Sequence, residues 1–206
     1  MAAKDVLRNS VKEKLARGEV VASMTVRLVR TIEIARIAKT AGFDMLYIDL
    51  EHSPLTIDAT GQICMACLEN GLMPAVRVPA NTPEYIGRVL DAGALGIIAP
   101  GVRSAEEARE VVKAAKFAPA GERGNIAPMP HLQYRSFPAS EAMAAVNDAT
   151  MVIVQFESKE AVDHAEEIIA VEGVDIVLIG LNDYLADCGL PGQYTTPRSE
   201  RCIPAS

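Results

Sequence analysis

One pattern recurs along this chain. A short apolar run stops abruptly at polar or charged residues, and a helix-like segment follows. Leu46-Tyr47-Ile48 runs into Asp49-Leu50-Glu51-His52, and Pro74-Ala75-Val76 into Arg77. Met151-Val152-Ile153-Val154 runs into Gln155-Phe156-Glu157, and Ile176-Val177-Leu178-Ile179 into Gly180-Leu181-Asn182-Asp183. Runs that are apolar at every position, rather than alternating, read as strands buried on both faces of a parallel sheet. In a barrel of parallel strands all carboxyl ends open on one face, and that face carries the chemistry. The pattern therefore predicts that one histidine, one arginine and several carboxylates, far apart in sequence, meet at one rim.

The periodicity predicts helices over 4–16, 32–41, 57–69, 83–91, 104–116, 140–147 and 159–170, and strands over 20–26, 45–49, 73–78, 94–99, 151–156 and 174–179. Uninterrupted βα alternation demands a parallel sheet. A closed eight-stranded barrel typically takes about 250 residues, and this chain has 206. The expected fold is α/β, a TIM (β/α)8-type barrel that stops after about six βα units. The expected division is a barrel catalytic domain over 1–192, incomplete at its carboxyl end, and an irregular tail over 193–206. The aperiodic stretch over 117–139 is too long for a plain connector and reads as a functional loop, with His131 in it a weak candidate for approaching a substrate.

Composition removes several function classes. Half the residues are apolar but only 4% are aromatic, so the core must be aliphatic. A net charge of -7 and a pI near 5.1 argue against nucleic acid or an anionic membrane as main partner. No apolar stretch is long enough to span a bilayer and no signal-peptide segment opens the chain, so a cytoplasmic location is expected. Cys64-Met65-Ala66-Cys67 spells C-x-x-C, but inside a helix pattern and without a second pair to complete a zinc site. Both cysteines are expected to be small packing groups. No lysine ends a strand, which disfavours imine chemistry, and no phosphate-binding glycine motif occurs.

Glu157 and Asp183 lie one βα repeat apart, at neighbouring positions on the expected rim. Two carboxylates without cysteine or histidine beside them suit a hard divalent ion such as Mg²⁺ or Mn²⁺, with the other positions left to water and substrate. The alternative for Asp183 is helix capping. His52, just after a strand, is placed to act as a general base, or is a plain loop histidine. Arg77 ends an apolar strand, where a guanidinium needs an anion. It binds either a substrate carboxylate or a rim carboxylate such as Asp49. Asp91 closes a helix pattern, where capping and surface roles compete with catalysis. His164 is expected to face solvent.

Ile48-Asp49-Leu50-Glu51-His52-Ser53-Pro54 resembles the D-x-E-H-x-P segment of the HpcH/HpaI aldolase family. Val76-Arg77-Val78-Pro79, Leu90-Asp91-Ala92-Gly93, Pro119-Ala120-Gly121-Glu122-Arg123-Gly124, Val154-Gln155-Phe156-Glu157 and Glu172-Gly173-Val174-Asp175 resemble it in order and spacing, to about Gly192. The resemblance implies a class II aldolase that reversibly cleaves a 4-hydroxy-2-oxo acid, such as 4-hydroxy-2-oxoheptanedioate, to pyruvate and an aldehyde through a metal-stabilised enolate. It implies that Glu157 and Asp183 hold Mg²⁺, Mn²⁺ or Co²⁺ and that Arg77 binds the oxo acid. His52 would be the acid/base, with Asp49 and Asp91 orienting it or a bound water. Gln155 and the backbone at Leu181-Asn182 would contact substrate, and the assembly would be a homo-oligomer, a trimer or hexamer. The family's G-P-A-D-L-S stands here as Gly180-Leu181-Asn182-Asp183-Tyr184-Leu185, a departure in the pyruvate pocket. The alternatives are a CoA-thioester lyase of the citrate or malyl type from the same superfamily, and a truncated, catalytically idle relative.

Overall fold

Strand pairing in the computed structural model, which describes residues 1–195, is wholly parallel. Strands β1 (Ser23–Val26), β2 (Met45–Asp49), β3 (Met73–Arg77), β4 (Gly96–Ala99), β5 (Met151–Phe156) and β6 (Ile176–Ile179) form one six-stranded sheet in sequence order. Helices α3 (Glu33–Thr40), α4 (Ile57–Glu69), α5 (Pro83–Asp91) and α6 (Ala105–Ala115) are the crossovers, and α8 (Lys159–Asp163) with α9 (Ala165–Ile169) joins β5 to β6. This is the curled wall of a TIM-type barrel, with β1 and β6 as its two edges among the described residues. Of the expected irregular tail, 196–206 with Cys202 lies outside the described residues.

Successive strand residues face opposite sides, and that rule sorts the core into two layers. Leu46, Ile48, Val76, Ile97, Val152 and Val154 point outward and pack with Ile63, Cys64, Cys67, Ile86, Val89, Val111 and Ile168 of the helices. Met45, Met73, Ala75, Ile98, Met151 and Ile153 point inward. The amino-terminal end of the interior is closed by the amino-terminal helices α1 (Ala3–Val6) and α2 (Ser10–Ala16), by Phe117, Met129 and Leu132, and by α7 (Ala139–Ala149). The interior is therefore plugged with apolar groups at one end and polar at the other.

Cys64 and Cys67 are fully buried in α4 and face the sheet. Burial pushes the Cys67 thiol up to about 12 and holds the Cys64 thiol well above its usual range. Neither thiol should react with a disulfide reagent such as DTNB until the protein unfolds. Rapid modification of either one in the native state, located by peptide mass spectrometry, contradicts the packing role.

The helix expected over 4–16 is two helices. Asn9 interrupts it: its side chain accepts from the N–H groups of Val11 and Lys12 at 3.1 Å and donates to the Ala149 carbonyl at 2.7 Å. A buried capping side chain with partners on both sides outweighs continuation of the helix. The helix expected over 159–170 divides at His164, which is exposed as expected. Helix α10 (Leu181–Asp187), directly after β6, was not legible as a helix.

Candidate active site

Arg77 is the last residue of β3 and Asp49 the last of β2, and the two are register partners. Inward orientation puts both at the carboxyl rim. Arg77 Nε donates to Asp49 Oδ1 at 3.0 Å and Nη2 to Oδ2 at 2.7 Å, a bidentate pair. Arg77 Nη1 lies 2.9 Å from Glu51 Oε2. The guanidinium is thus held by two carboxylates, Asp49 at the end of β2 and Glu51 in the loop after it, so the structural alternative raised for Arg77 is what the structure displays. Burial alone pushes the Asp49 carboxyl up, but Arg77 and the backbone N–H groups of His52 and Glu51 outweigh it and hold the carboxyl below its usual range.

His52 is fastened to this network through its backbone. Its N–H donates to Asp49 Oδ1 at 3.2 Å, and its carbonyl accepts from Arg27 Nη2 at 2.6 Å. The imidazole itself is exposed, with Nε2 3.7 Å from Glu51 Oε2. Arg27 follows β1 and also reaches within 3.5 Å of Asp49 Oδ2. It belongs to the rim by the same strand-end rule that identifies Arg77, yet Val26-Arg27 is too short a signal to single out by sequence.

The opposite wall carries Glu157 and Asp183. Glu157 follows β5, beside Gly180 after β6. Gln155 Nε2 donates to Glu157 Oε1 at 2.5 Å. The Glu157 carboxyl is pushed above its usual range, first by burial and then by the charges of Glu51 and Asp183, against the Gly101 N–H and Arg77. Asp183 is exposed, in the first turn of α10. Helix-dipole stabilisation of an acid is available there. Leu181 is half-buried, and Asn182 is exposed with its Oδ1 accepting from the Tyr194 hydroxyl at 2.6 Å.

Asp91 and His131 lie elsewhere. Helix α5 runs back toward the amino ends of the strands, so its last residue, Asp91, sits at the far end, paired with Arg123 at 2.8 Å. His131 is buried at the same end, with Nε2 2.8 Å from the Ala94 carbonyl, and burial lowers its pKa to about 4. A neutral, enclosed imidazole at the closed end of the barrel does not reach this rim.

Among the described residues no group of three or more His, Cys, Asp or Glu side chains forms a metal cage. A Mg²⁺-type site needs less, because such ions keep several waters and take one or two carboxylates. Burial first, and then the charges of Glu51 and Asp183, weaken the acidity of Glu157. Hard oxygen donors with mutual repulsion and no soft ligand fit a hard divalent cation.

Gly180 makes room for this wall. A Cβ there would stand 2.7 Å from Glu157 Cγ and 2.8 Å from Gln155 Nε2. With φ at -81° the backbone tolerates alanine, so the obstruction is purely steric. Gly180→Ala should leave the fold cooperative while lowering kcat/KM at least about tenfold, the scale expected when displaced side chains miss a reacting geometry. Unchanged kinetics in the folded variant would show that Glu157 and Gln155 need not stand where they do.

The HpcH/HpaI aldolase/citrate lyase family profile matches residues 3–199. A 4-hydroxy-4-methyl-2-oxoglutarate aldolase of Hapsidospora irregularis is 38% identical over 200 residues, spanning 96% of this chain and 74% of its own length. A 2-keto-3-deoxy-L-rhamnonate aldolase of Escherichia coli is 38% identical over 201 residues, 98% of this chain and 74% of its own. The crystal structure of an HpcH/HpaI aldolase from Desulfitobacterium hafniense superposes with a TM-score of 0.88 at 34% identity, covering 93% of this chain and 74% of that one. Relatives named as aldolases make or break carbon–carbon bonds. The sheet order, the polar rim and a match over nearly the whole sequence agree: the chain belongs to the HpcH/HpaI aldolase/citrate lyase family.

Proposed function

We propose that this chain is a divalent-metal-dependent aldolase that interconverts a 4-hydroxy-2-oxo acid with pyruvate and an aldehyde. The observation that carries the reading is the convergence at one rim of two facing walls, Arg77–Asp49–Glu51 on β2–β3 and Gln155–Glu157 with Asp183 on β5–β6. Glu157 and Asp183 would hold the ion, which when bound supplies Lewis acidity toward the oxo-acid carbonyl. The ion would be Mg²⁺, Mn²⁺ or Co²⁺.

The chain's own groups then have separable tasks. Gln155 Nε2, which donates to Glu157, would turn to the oxo acid and orient its oxygen. Arg77, fixed by Asp49 and Glu51, presents positive charge where negative charge develops on the oxo acid during carbon–carbon cleavage. Leu181 and Asn182 stand at the start of α10, where backbone N–H groups suit the substrate carboxylate. His52, exposed at the mouth and held by its backbone to Asp49, would move the proton between the substrate hydroxyl and solvent. Within this chain α5 carries Asp91 to the other end of the barrel, where it pairs with Arg123, so it is not grouped with these residues.

The proposal places the enzyme in the cytoplasm as a trimer or hexamer. No described helix is long and apolar enough to cross a membrane. The direct test is to incubate the protein with pyruvate, a short aldehyde and Mn²⁺ or Mg²⁺, and to follow the aldol product by mass spectrometry. The expected product disappears with EDTA and returns with added metal. No product from any of a panel of oxo-acid and aldehyde acceptors contradicts the reading.

A further inference from the structure

Tyr47 lies in the apolar run of β2, one inward position before Asp49, and it touches both walls of the site. Its ring carries the Arg77 guanidinium, whose carbon is 5.5 Å from the ring centroid, within cation–π range. Its hydroxyl donates across the barrel to Gln155 Oε1 at 3.4 Å, a long hydrogen bond. The other end of the same amide donates to Glu157. Gln155 is 4% exposed, so its carbonyl oxygen gains little from solvent. Buried polar atoms left without a partner are costly, which gives the Tyr47 hydroxyl a defined task.

We infer that Tyr47 is a positioning residue: its hydroxyl holds the Gln155 carbonyl oxygen so that the amide NH2 stays aimed at the Glu157 wall, while its ring supports Arg77 opposite. The inference rests on the functional reading above for its catalytic consequence, but not for its structural content. A glutamine side chain has free rotation about three bonds and two nearly isosteric ends. Held only at Nε2, it would leave its station whenever Glu157 turned toward another partner. Held at both ends, it stays. The hydroxyl is a donor through the whole working range, because burial raises the Tyr47 pKa well above its usual value.

Tyr47→Phe removes the hydroxyl and keeps the ring over Arg77. In ¹⁵N-labelled wild type the Gln155 side-chain amide, assigned by its loss in Gln155→Leu, should show two well-separated protons that exchange slowly. In Tyr47→Phe the pair should move toward solvent-exposed glutamine values and exchange faster. Kinetically, Tyr47→Phe should raise KM for pyruvate about five- to tenfold, the worth of one hydrogen bond, with a smaller change in kcat. The same substitution in a Gln155→Leu background should change neither. A merely structural tyrosine would give equal effects in both backgrounds. Degenerate or fast-exchanging Gln155 protons in wild type, unchanged resonances in Tyr47→Phe, or equal kinetic effects in both backgrounds overturns the inference. Should wild type lack aldol activity altogether, the functional reading falls while the amide resonances still decide the positioning.

Discussion

Arg77→Met should reduce kcat/KM by about a thousandfold and destabilise the fold by about 3–5 kcal/mol. The two effects have different origins. Asp49 is fully enclosed and Arg77 is 9% exposed, so truncating the guanidinium leaves the Asp49 carboxylate without its bidentate partner. Removing one member of a buried ion pair costs about that much, because the remaining charge loses its bidentate partner and keeps only Arg27, 3.5 Å away. The catalytic loss follows from removing fixed positive charge at the rim, an effect of roughly 10²–10³ in rate. Arg77→Lys should recover part of the stability and little of the activity, since an ammonium cannot span both Asp49 oxygens and Glu51 at once. The pH signature follows from Asp49, whose carboxyl is held below its usual range. A depressed pKa contributes stability at neutral pH that is lost as pH falls from the ordinary carboxylate value of about 3.9 through the lower folded value. The wild-type and Arg77→Met stabilities should therefore converge in that acid window, as urea titrations at successive pH values can show. A variant as stable as wild type at pH 7 contradicts this account of the pair.

Glu157→Gln should have the opposite balance: activity lost, stability kept or raised. Glu157 is half-buried, and that burial, followed by the charges of Glu51 and Asp183, pushes its carboxyl up. Above its folded pKa the ionised side chain therefore costs stability, and a neutral isostere removes that cost. The gain should be present at neutral pH and vanish as pH falls below the ordinary glutamate value of about 4.3, where both forms are uncharged. Activity should fall by about 10³-fold or more, because the Lewis acidity of a bound ion is worth several kcal/mol and each 1.36 kcal/mol is a factor of ten. Mn²⁺ affinity, read by calorimetry, should fall with it. Gain of stability at a functional site on loss of function is the usual sign of a residue kept for its chemistry. A Glu157→Gln variant that retains wild-type turnover and Mn²⁺ affinity contradicts the role assigned to this carboxylate.

Much of this was legible because strand ends are legible. Wherever an apolar run met a charge, as at Ile48-Asp49, Val76-Arg77 and Phe156-Glu157, the structure places that charge at one rim. Asp91 shows where the rule stops, since it ends a helix and helices end at the other face. Partner choice was not legible. Spacing cannot say whether Arg77 meets a ligand or Asp49, because register and rotamers settle that. Tyr47 was hidden inside an apolar run, where a tyrosine reads as core until its hydroxyl is seen to meet Gln155. Helix α10 was missed because Gly180-Leu181-Asn182-Asp183 has the composition of a turn, and its first turn is stabilised by position after β6 rather than by propensity. Asn9 likewise has a composition that fits either a helix interior or a cap, and only its tertiary bond to Ala149 decides.

Crystals soaked with Mn²⁺ and pyruvate and measured at the manganese absorption edge test the central claim most directly. An anomalous peak coordinated by carboxylate oxygens of Glu157 and Asp183, with pyruvate chelated on its open side beside Gln155, is the expected result. A fully occupied pyruvate bound without any ion, or a peak at other residues while the Glu157 and Asp183 side chains point apart, would contradict it.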